Sequence, residues 1–206
     1  MVKYPLSKTE EGIYVSCLNK TDAYNLANVI DLGCDIDINK FISSVKKVFL
    51  AHPYLFTVLY EEDGIIYKRI EEIELKLDVI EASSLKIDTE YFELLNKHLF
   101  SLKLYKIDNN YFFYFNFHHI IFDGFSIHMF ITDLFNAYDS KEIKKEEYDA
   151  NMASLDEASL IGSDIYNKSH DFFINNIKDP ELDSTIIYDK NDGEVKYKNI
   201  NKKLNQ

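Results

Sequence analysis

Several residue types that mark specialised proteins are scarce in this chain of 206 residues. Its two cysteines, Cys17 and Cys34, are too few for a disulfide-stabilised scaffold and lack the spacing of a metal-binding pair. Tryptophan is absent, and three prolines and six glycines exclude a collagen-like or linker-like composition. No run of about 18 apolar residues predicts a transmembrane helix, and the opening residues lack the apolar core of a signal peptide. We therefore expect a cytoplasmic protein.

Basic residues are also outnumbered, and the formal net charge is −12. Such acidity argues against nucleic-acid binding and against attachment to a membrane surface, because both need clustered Lys and Arg. The composition is 46% hydrophobic and 15% aromatic, which is enough for a sizeable core. No glycine-rich phosphate loop, CxxC or HExxH pattern occurs, so no bound cofactor and no metal are expected.

The hydrophobic pattern predicts helices interleaved with hairpins. Helices are predicted over residues 7–19, from Asp35 or Asp37 to Pro53, from Thr89 to about 99, from Asp123 to about Tyr138, and within 156–177. Strands are predicted over residues 22–33, 55–60, 65–70, 75–81, 102–107 and 111–118. This order favours an α/β sandwich in which a mostly antiparallel, mixed sheet is covered by helices.

The most informative segment is the apolar strand 111–118 and the turn that follows it. His118 and His119 stand at its end, and Asp123-Gly124 opens the next helix. Strand alternation places His119 with Phe113, Phe115 and Phe117, and His118 with Tyr114 and Asn116. The two histidines should therefore face different environments. Because an unpaired buried imidazole is costly, each should have a partner or a function.

Asp123 has three alternative uses at this position. It could hold a neighbouring histidine, pair with a cation, or cap the helix through Ser126 at N3. Gly124 would allow backbone or substrate to approach closely. We expect Ser126 to be a capping partner, with contact to a substrate as the alternative.

The stretch His118-His119-Ile120-Ile121-Phe122-Asp123-Gly124 resembles the HHxxxDG motif of condensation domains of nonribosomal peptide synthetases and of the chloramphenicol-acetyltransferase-like superfamily. Residues 4–14 resemble the opening motif of condensation domains, and residues 51–59 resemble their second motif. The resemblance covers about residues 4–178. It implies that residues 1–178 form the N-terminal lobe of a condensation domain, and that residues 179–206 are a linker or the start of a second, missing lobe.

The resemblance also implies an activity. A carrier-bound acyl or peptidyl thioester would be transferred to the amine of a carrier-bound amino acid, with both substrates on phosphopantetheine arms of partner carrier-protein domains. His119 would be the catalytic residue, orienting the amine or taking its proton as a general base. His118 would be a buried scaffold residue, Asp123 would orient the motif loop, and backbone dipoles at Gly124 would face developing negative charge.

Two departures from the family pattern leave alternatives open. Ala51 and Phe56 stand where the second motif usually carries arginines, and one of those arginines is thought to pair with the motif aspartate. The matching second lobe is absent, so we expect the isolated lobe to be inactive. A stand-alone trimeric acetyltransferase-like enzyme and a non-catalytic fragment that binds carrier proteins are the alternatives. We expect no catalytic role for the remaining histidines, which are His52, His98, His128 and His170.

Overall fold

The computed structural model of the chain describes residues 3–19, 22–85 and 91–176. The strands are β1 (Tyr4–Pro5), β2 (Asn25–Gly33), β3 (Thr57–Glu62), β4 (Ile65–Ile70), β5 (Val79–Glu81), β6 (Phe100–Ile107) and β7 (Asn110–His118). The helices are α1 (Lys8–Ser16), α2 (Ile38–Ala51), α3 (Gly124–Tyr138), α4 (Ala150–Leu160) and α5 (Asp164–Asn176), with a one-turn 3₁₀ helix at Pro53–Phe56. The chain divides into two compact units, Met1–Ser163 and Asp164–Gln206.

Two sheets organise the first unit. The larger has the strand order β2-β7-β6-β5, and the smaller has the order β1-β4-β3. All neighbouring strands are antiparallel except β5 and β6, which run parallel. The predicted mixed, mostly antiparallel sheet with covering helices is confirmed. In the larger sheet β7 lies between β2 and β6, so its backbone is paired on both sides.

The core lies between one face of β7 and the helices α2 and α3. Phe113, Phe115 and Phe117 alternate along β7 and are fully buried, as the strand pattern predicts. The ring of Phe113 packs edge-on against Phe41 of α2, with centroids 5.2 Å apart. The ring of Phe115 lies 5.2 Å from that of Phe130 in α3. This aromatic layer fixes where β7 ends and where α3 begins.

The predicted helix from Thr89 to residue 99 is wrong over its described part. Residues 91–99 contain no helix, and Thr89 lies outside the described residues. Leu95 instead forms a parallel bridge with Leu59, and the backbone N–H of Asn96 donates to the carbonyl of Leu59 at 2.7 Å. Asn96 has a φ of 58°, in the left-handed region that a helix cannot contain. In this irregular backbone Leu99 is buried, while Leu94 and Leu95 are half-buried against the core.

Other boundaries also differ from the predictions. Only Val79–Glu81 of the predicted strand 75–81 is a strand. The single helix predicted within residues 156–177 is two helices, α4 and α5, separated at Gly162, whose φ is 81°. The predicted linker over residues 179–206 lies outside the described residues. Within the described ranges, no helix has the length and apolar character needed to cross a bilayer.

Candidate active site

The junction between β7 and α3 carries the histidine pair. β7 ends at His118, and α3 begins at Gly124 with Asp123 as its N-cap. The backbone N–H of His119 donates to the carbonyl of Tyr24 at 2.8 Å, which ties the end of β7 to the segment before β2. Phe122 is buried and stacks on Phe117 with centroids 4.1 Å apart. The turn between strand and helix is therefore held by packing as well as by backbone hydrogen bonds.

His118 points away from the aromatic core, to the other face of β7. Only 1% of it is exposed. Its Nδ1 accepts a hydrogen bond from the backbone N–H of Ile120 at 3.2 Å, so its proton is assigned to Nε2, which lies 3.5 Å from the Cys17 sulfur. Burial, with a smaller repulsion from His119, lowers the pKa of His118 from 6.5 to about 4. His118 is thus a neutral structural residue at physiological pH.

Cys17 and His118 superficially resemble a nucleophile and its base. The geometry and charge argue otherwise, because burial raises the pKa of the Cys17 thiol and lowers that of the His118 imidazole. Neither shift favours a thiolate–imidazolium pair. The contact between Cys17 and His118 is therefore packing with a weak hydrogen bond.

His119 lies beyond the end of the strand and faces a cavity of about 380 Å³. It is partly exposed, in contrast to His118. No described residue forms a hydrogen bond with its imidazole, while the ring of Tyr24 meets it edge-on with centroids 6.4 Å apart. Asp123, Ser126, Glu10 and Glu146 line the same cavity. The imidazole nitrogens are thus available to an incoming molecule.

Asp123 caps α3 in the way that the sequence predicts. Its Oδ1 accepts hydrogen bonds from the backbone N–H and the hydroxyl of Ser126, both at 2.7 Å. These bonds, the backbone one first, lower the pKa of Asp123, and nearby His119 adds to the effect. Ser126 is therefore a capping partner as expected, and it also lines the cavity. Gly124 is exposed, and a Cβ added there would meet no atom within 4 Å, so the space beside it is open.

Ala51 and Phe56 stand where the second motif usually carries arginines, and neither side chain can form an ion pair with Asp123. Phe56 is buried among the rings of Phe49 and Phe100. Ala51 ends α2, and its carbonyl accepts the backbone N–H of Glu146 at 2.9 Å. The charge of Asp123 is met by the start of its own helix instead of by an arginine of the second motif.

A buried polar cluster forms one wall of the cavity and was not predicted from the sequence. Ser7 and Glu10 make the predicted capping box of α1. Glu10 also accepts two hydrogen bonds of 2.7 Å from the ammonium of Lys68 and one of 2.9 Å from the hydroxyl of Tyr54. Lys68 is fully buried, and desolvation lowers its pKa although Glu10 opposes the shift. The capping box was visible in the sequence, but the partner from β4 was not.

A second polar cluster, also missed, lies around His52. The Nε2 of His52 is 2.8 Å from a carboxylate oxygen of Asp133 in α3, and its Nδ1 is 3.6 Å from Glu146. These carboxylates, Glu146 first, raise the pKa of His52. The cluster joins the end of α2 to α3 and to the segment between α3 and α4. Among the remaining histidines, His98 bonds to the carbonyl of Glu71, while His128 and His170 are exposed.

Comparison with known proteins identifies relatives for most of the chain. A sequence profile of the family described as "Condensation domain" matches residues 2–155. Surfactin synthase subunit 1 of Bacillus subtilis (strain 168) is 26% identical over 189 residues, which are 87% of this chain and 5% of that protein. Tyrocidine synthase 3 of Brevibacillus parabrevis is 23% identical over 182 residues, which are 82% of this chain and 3% of that protein. The chain thus spans a small part of the peptide synthetases that it matches.

Solved structures show the same fold. The starter condensation domain of rhizomide synthetase RzmA superposes with a TM-score of 0.76 at 15% identity, over 88% of this chain and 49% of that one. The X-domain from teicoplanin biosynthesis superposes with a TM-score of 0.78 at 16% identity, over 93% of this chain and 47% of that one. Each superposition covers about half of the larger chain. The family match over three quarters of the sequence, on this fold, shows that the chain belongs to the condensation-domain family.

Proposed function

We propose that this chain is the N-terminal lobe of a condensation domain, over residues 1–178, and that it supplies the catalytic histidine for amide formation in a nonribosomal peptide synthetase. The observation that carries the proposal is the contrast between the two histidines. His118 is buried, neutral and bonded through its ring, whereas His119 is partly exposed and faces a cavity, and no described residue forms a hydrogen bond with its imidazole. A reactive imidazole at a rigid strand-to-helix junction is the arrangement that acyl transfer to an amine requires.

The reaction would proceed by attack of an amine on a thioester carbonyl. The nitrogen lone pair forms the new C–N bond, the nitrogen loses a proton, and the C–S bond breaks with departure of the thiol. His119 would receive the proton from the nitrogen and pass it to the departing sulfur, or hold the amine in line with the carbonyl. Asp123, fixed by Ser126, keeps the loop after His119 in place. The cavity at His119 is open enough for both reacting groups to enter from outside.

The partners in this proposal are acyl or peptidyl carrier-protein domains and a second lobe. The carriers would present their thioesters on phosphopantetheine arms, so the chain itself would hold no cofactor. A second lobe, equivalent to the half of the RzmA domain that this chain does not cover, would close the cavity. Residues 179–206 would lead into that lobe. The reaction would take place in the cytoplasm.

The test is to replace His119 by Ala in the complete synthetase and to follow the amide product by mass spectrometry. General base catalysis is worth about 10²–10⁴-fold, so the condensation rate should fall at least about a hundredfold. The matched control is His128→Ala, which removes an exposed histidine from α3. Undiminished condensation by the His119 variant would contradict the assignment.

The solution mass of the isolated chain tests the proposed architecture. A single lobe that depends on another lobe should be a monomer and should not catalyse amide formation alone. A trimer that transfers acyl groups would instead favour the acetyltransferase-like alternative. Light scattering after size exclusion, followed by an acyl-transfer assay, distinguishes the two.

A further inference from the structure

A second cavity adjoins the one that holds His119. Its volume is about 240 Å³, and it lies between the end of α2 and the start of α3. Five residues line both cavities, namely Tyr54, Ile121, Phe122, Ser126 and Glu146. The side cavity is therefore adjacent to the cavity at His119, close enough for a substituent on a molecule whose reacting atom lies at His119.

The walls of the side cavity are mainly apolar. Six of its ten lining residues are apolar, namely Leu55, Ile121, Phe122, Phe125, Met129 and Phe130. Phe125 is 71% exposed and Met129 is 42% exposed, so this apolar surface is not covered by described parts of the chain. An apolar cavity of about 150 Å³ accommodates a benzene molecule, so one of this size would accept a branched aliphatic group or a single aromatic ring.

The charges at the shared wall are predominantly negative. Glu146 belongs to both cavities, and Asp123 lines the one at His119. The charge of Glu10 is balanced by Lys68, whereas His52 is shared between Asp133 and Glu146. Two carboxylates facing one imidazole leave a net negative charge whether the imidazole is protonated or neutral. The junction of the cavities therefore attracts an ammonium group and repels a carboxylate.

From this juxtaposition we propose that the side cavity receives the side chain of the acceptor amino acid, and that it selects an apolar side chain over an acidic one. The inference rests on the proposed function, since it places the acceptor amine at His119. The acceptor carries an amino group whose protonated form the carboxylates favour and which attacks only after losing that proton. Its side chain is attached to the carbon next to that nitrogen. The donor presents a neutral carbonyl, which carries no positive charge for these carboxylates to attract.

Methionine methyl groups provide a direct test in this chain. Met129 lines the side cavity, whereas Met152 is exposed on α4 and lines neither cavity. Protein labelled with ¹³C-methyl methionine would be titrated with glycinamide, leucinamide and the α-amide of glutamic acid, and the ring signals of His119 would be followed in parallel. Leucinamide should shift the Met129 signal and leave Met152 unchanged, and should bind about tenfold or more tightly than glycinamide because its side chain is buried. The glutamate amide should bind more weakly than leucinamide.

A matched pair of variants locates the effect. Met129→Glu should remove the advantage of leucinamide over glycinamide at the His119 signals, while Met152→Glu should retain it. If both amides shift the His119 signals but Met129 does not respond, the side cavity is not the acceptor pocket and the proposed function stands. If neither amide affects His119, the amine site itself is refuted, and the proposed function falls with the inference.

Discussion

The Nδ1 atom of His118 accepts the backbone N–H of Ile120, two residues further along the chain, at 3.2 Å. This bond needs a neutral ring, because a protonated imidazole has no acceptor nitrogen. The lowered pKa of His118 and its position against Cys17 agree with that requirement. The first histidine of the pair thus holds the turn from which the second is presented.

Acid should therefore destabilise the fold through His118. The unfolded chain binds a proton at this ring below a pH of about 6.5, and the folded chain does so only near 4, so stability is lost as the pH falls through that range. The shift corresponds to about 3 kcal/mol. Urea unfolding at several pH values should show that the free energy of unfolding falls more steeply between pH 6.5 and 4 for the natural chain than for His118→Gln. Equal slopes would contradict the assignment of a neutral, buried His118.

Replacing each histidine by Ala should separate structural from functional effects. His118→Ala removes a buried hydrogen bond and leaves a void, so it should cost about 2–3 kcal/mol of unfolding free energy. His119→Ala removes a partly exposed ring without a described partner and should change stability by less than about 0.5 kcal/mol. Denaturant unfolding of both variants at pH 7 checks this. A large destabilisation by the His119 variant would indicate that this ring is structural.

His52 should act in the opposite pH direction to His118. Its folded pKa is raised by Glu146 and Asp133, so its contribution is complete below the unfolded value of about 6.5 and disappears as the pH rises through the folded value. His52→Gln should lower the unfolding free energy by about 1–2 kcal/mol at pH 6 and by less at pH 9. Thermal unfolding at the two pH values measures the difference. The control His128→Gln, at an exposed site of α3, should show no such dependence.

The pair formed by Lys68 and Glu10 should show strong energetic coupling. Lys68→Met leaves a buried carboxylate without its cation and should cost about 3–5 kcal/mol. Glu10→Gln in the same chain should recover much of that loss, since Gln remains able to accept the hydroxyl hydrogen bond of Tyr54. A double-mutant cycle from denaturant unfolding gives the coupling. Additive effects would mean that the pair contributes little beyond packing.

The local signals in the sequence predicted the geometry of the junction between β7 and α3 well. Alternation along β7, the cap at Asp123 and the position of Ser126 each depend on residues a few positions apart, and the structure has them as expected. The separate environments of His118 and His119 also followed from strand alternation. His119 does not follow the strand alternation that grouped it with Phe117. The strand ends at His118, and His119 faces the cavity instead of the core.

The features that were missed depend on distant residues or on a single backbone angle. Glu10 meets Lys68 only because α1 packs beside β4, and no local pattern indicates this. No sequence pattern around His52 predicts that its ring will lie between the carboxylates of Asp133 and Glu146, which are distant in the chain. In the segment 91–99 the apolar spacing is compatible with a helix, but packing beside β3 and the left-handed Asn96 prevent one. Tertiary contacts override local preference at each of these places.

The pairing of β2 with β7 sets the order in which this chain can fold. Asn25 is opposite His118, and Ile30 is opposite Phe113, so an early strand must wait for one that follows much later in the chain. Long-range strand pairing is slow, because loop closure must be completed before its contacts form. During synthesis β2 would remain unpaired on that side until β7 emerged, and the turn bearing His119 would be fixed only then. The turn that carries His119 would thus become ordered only after most of the first unit has been synthesised.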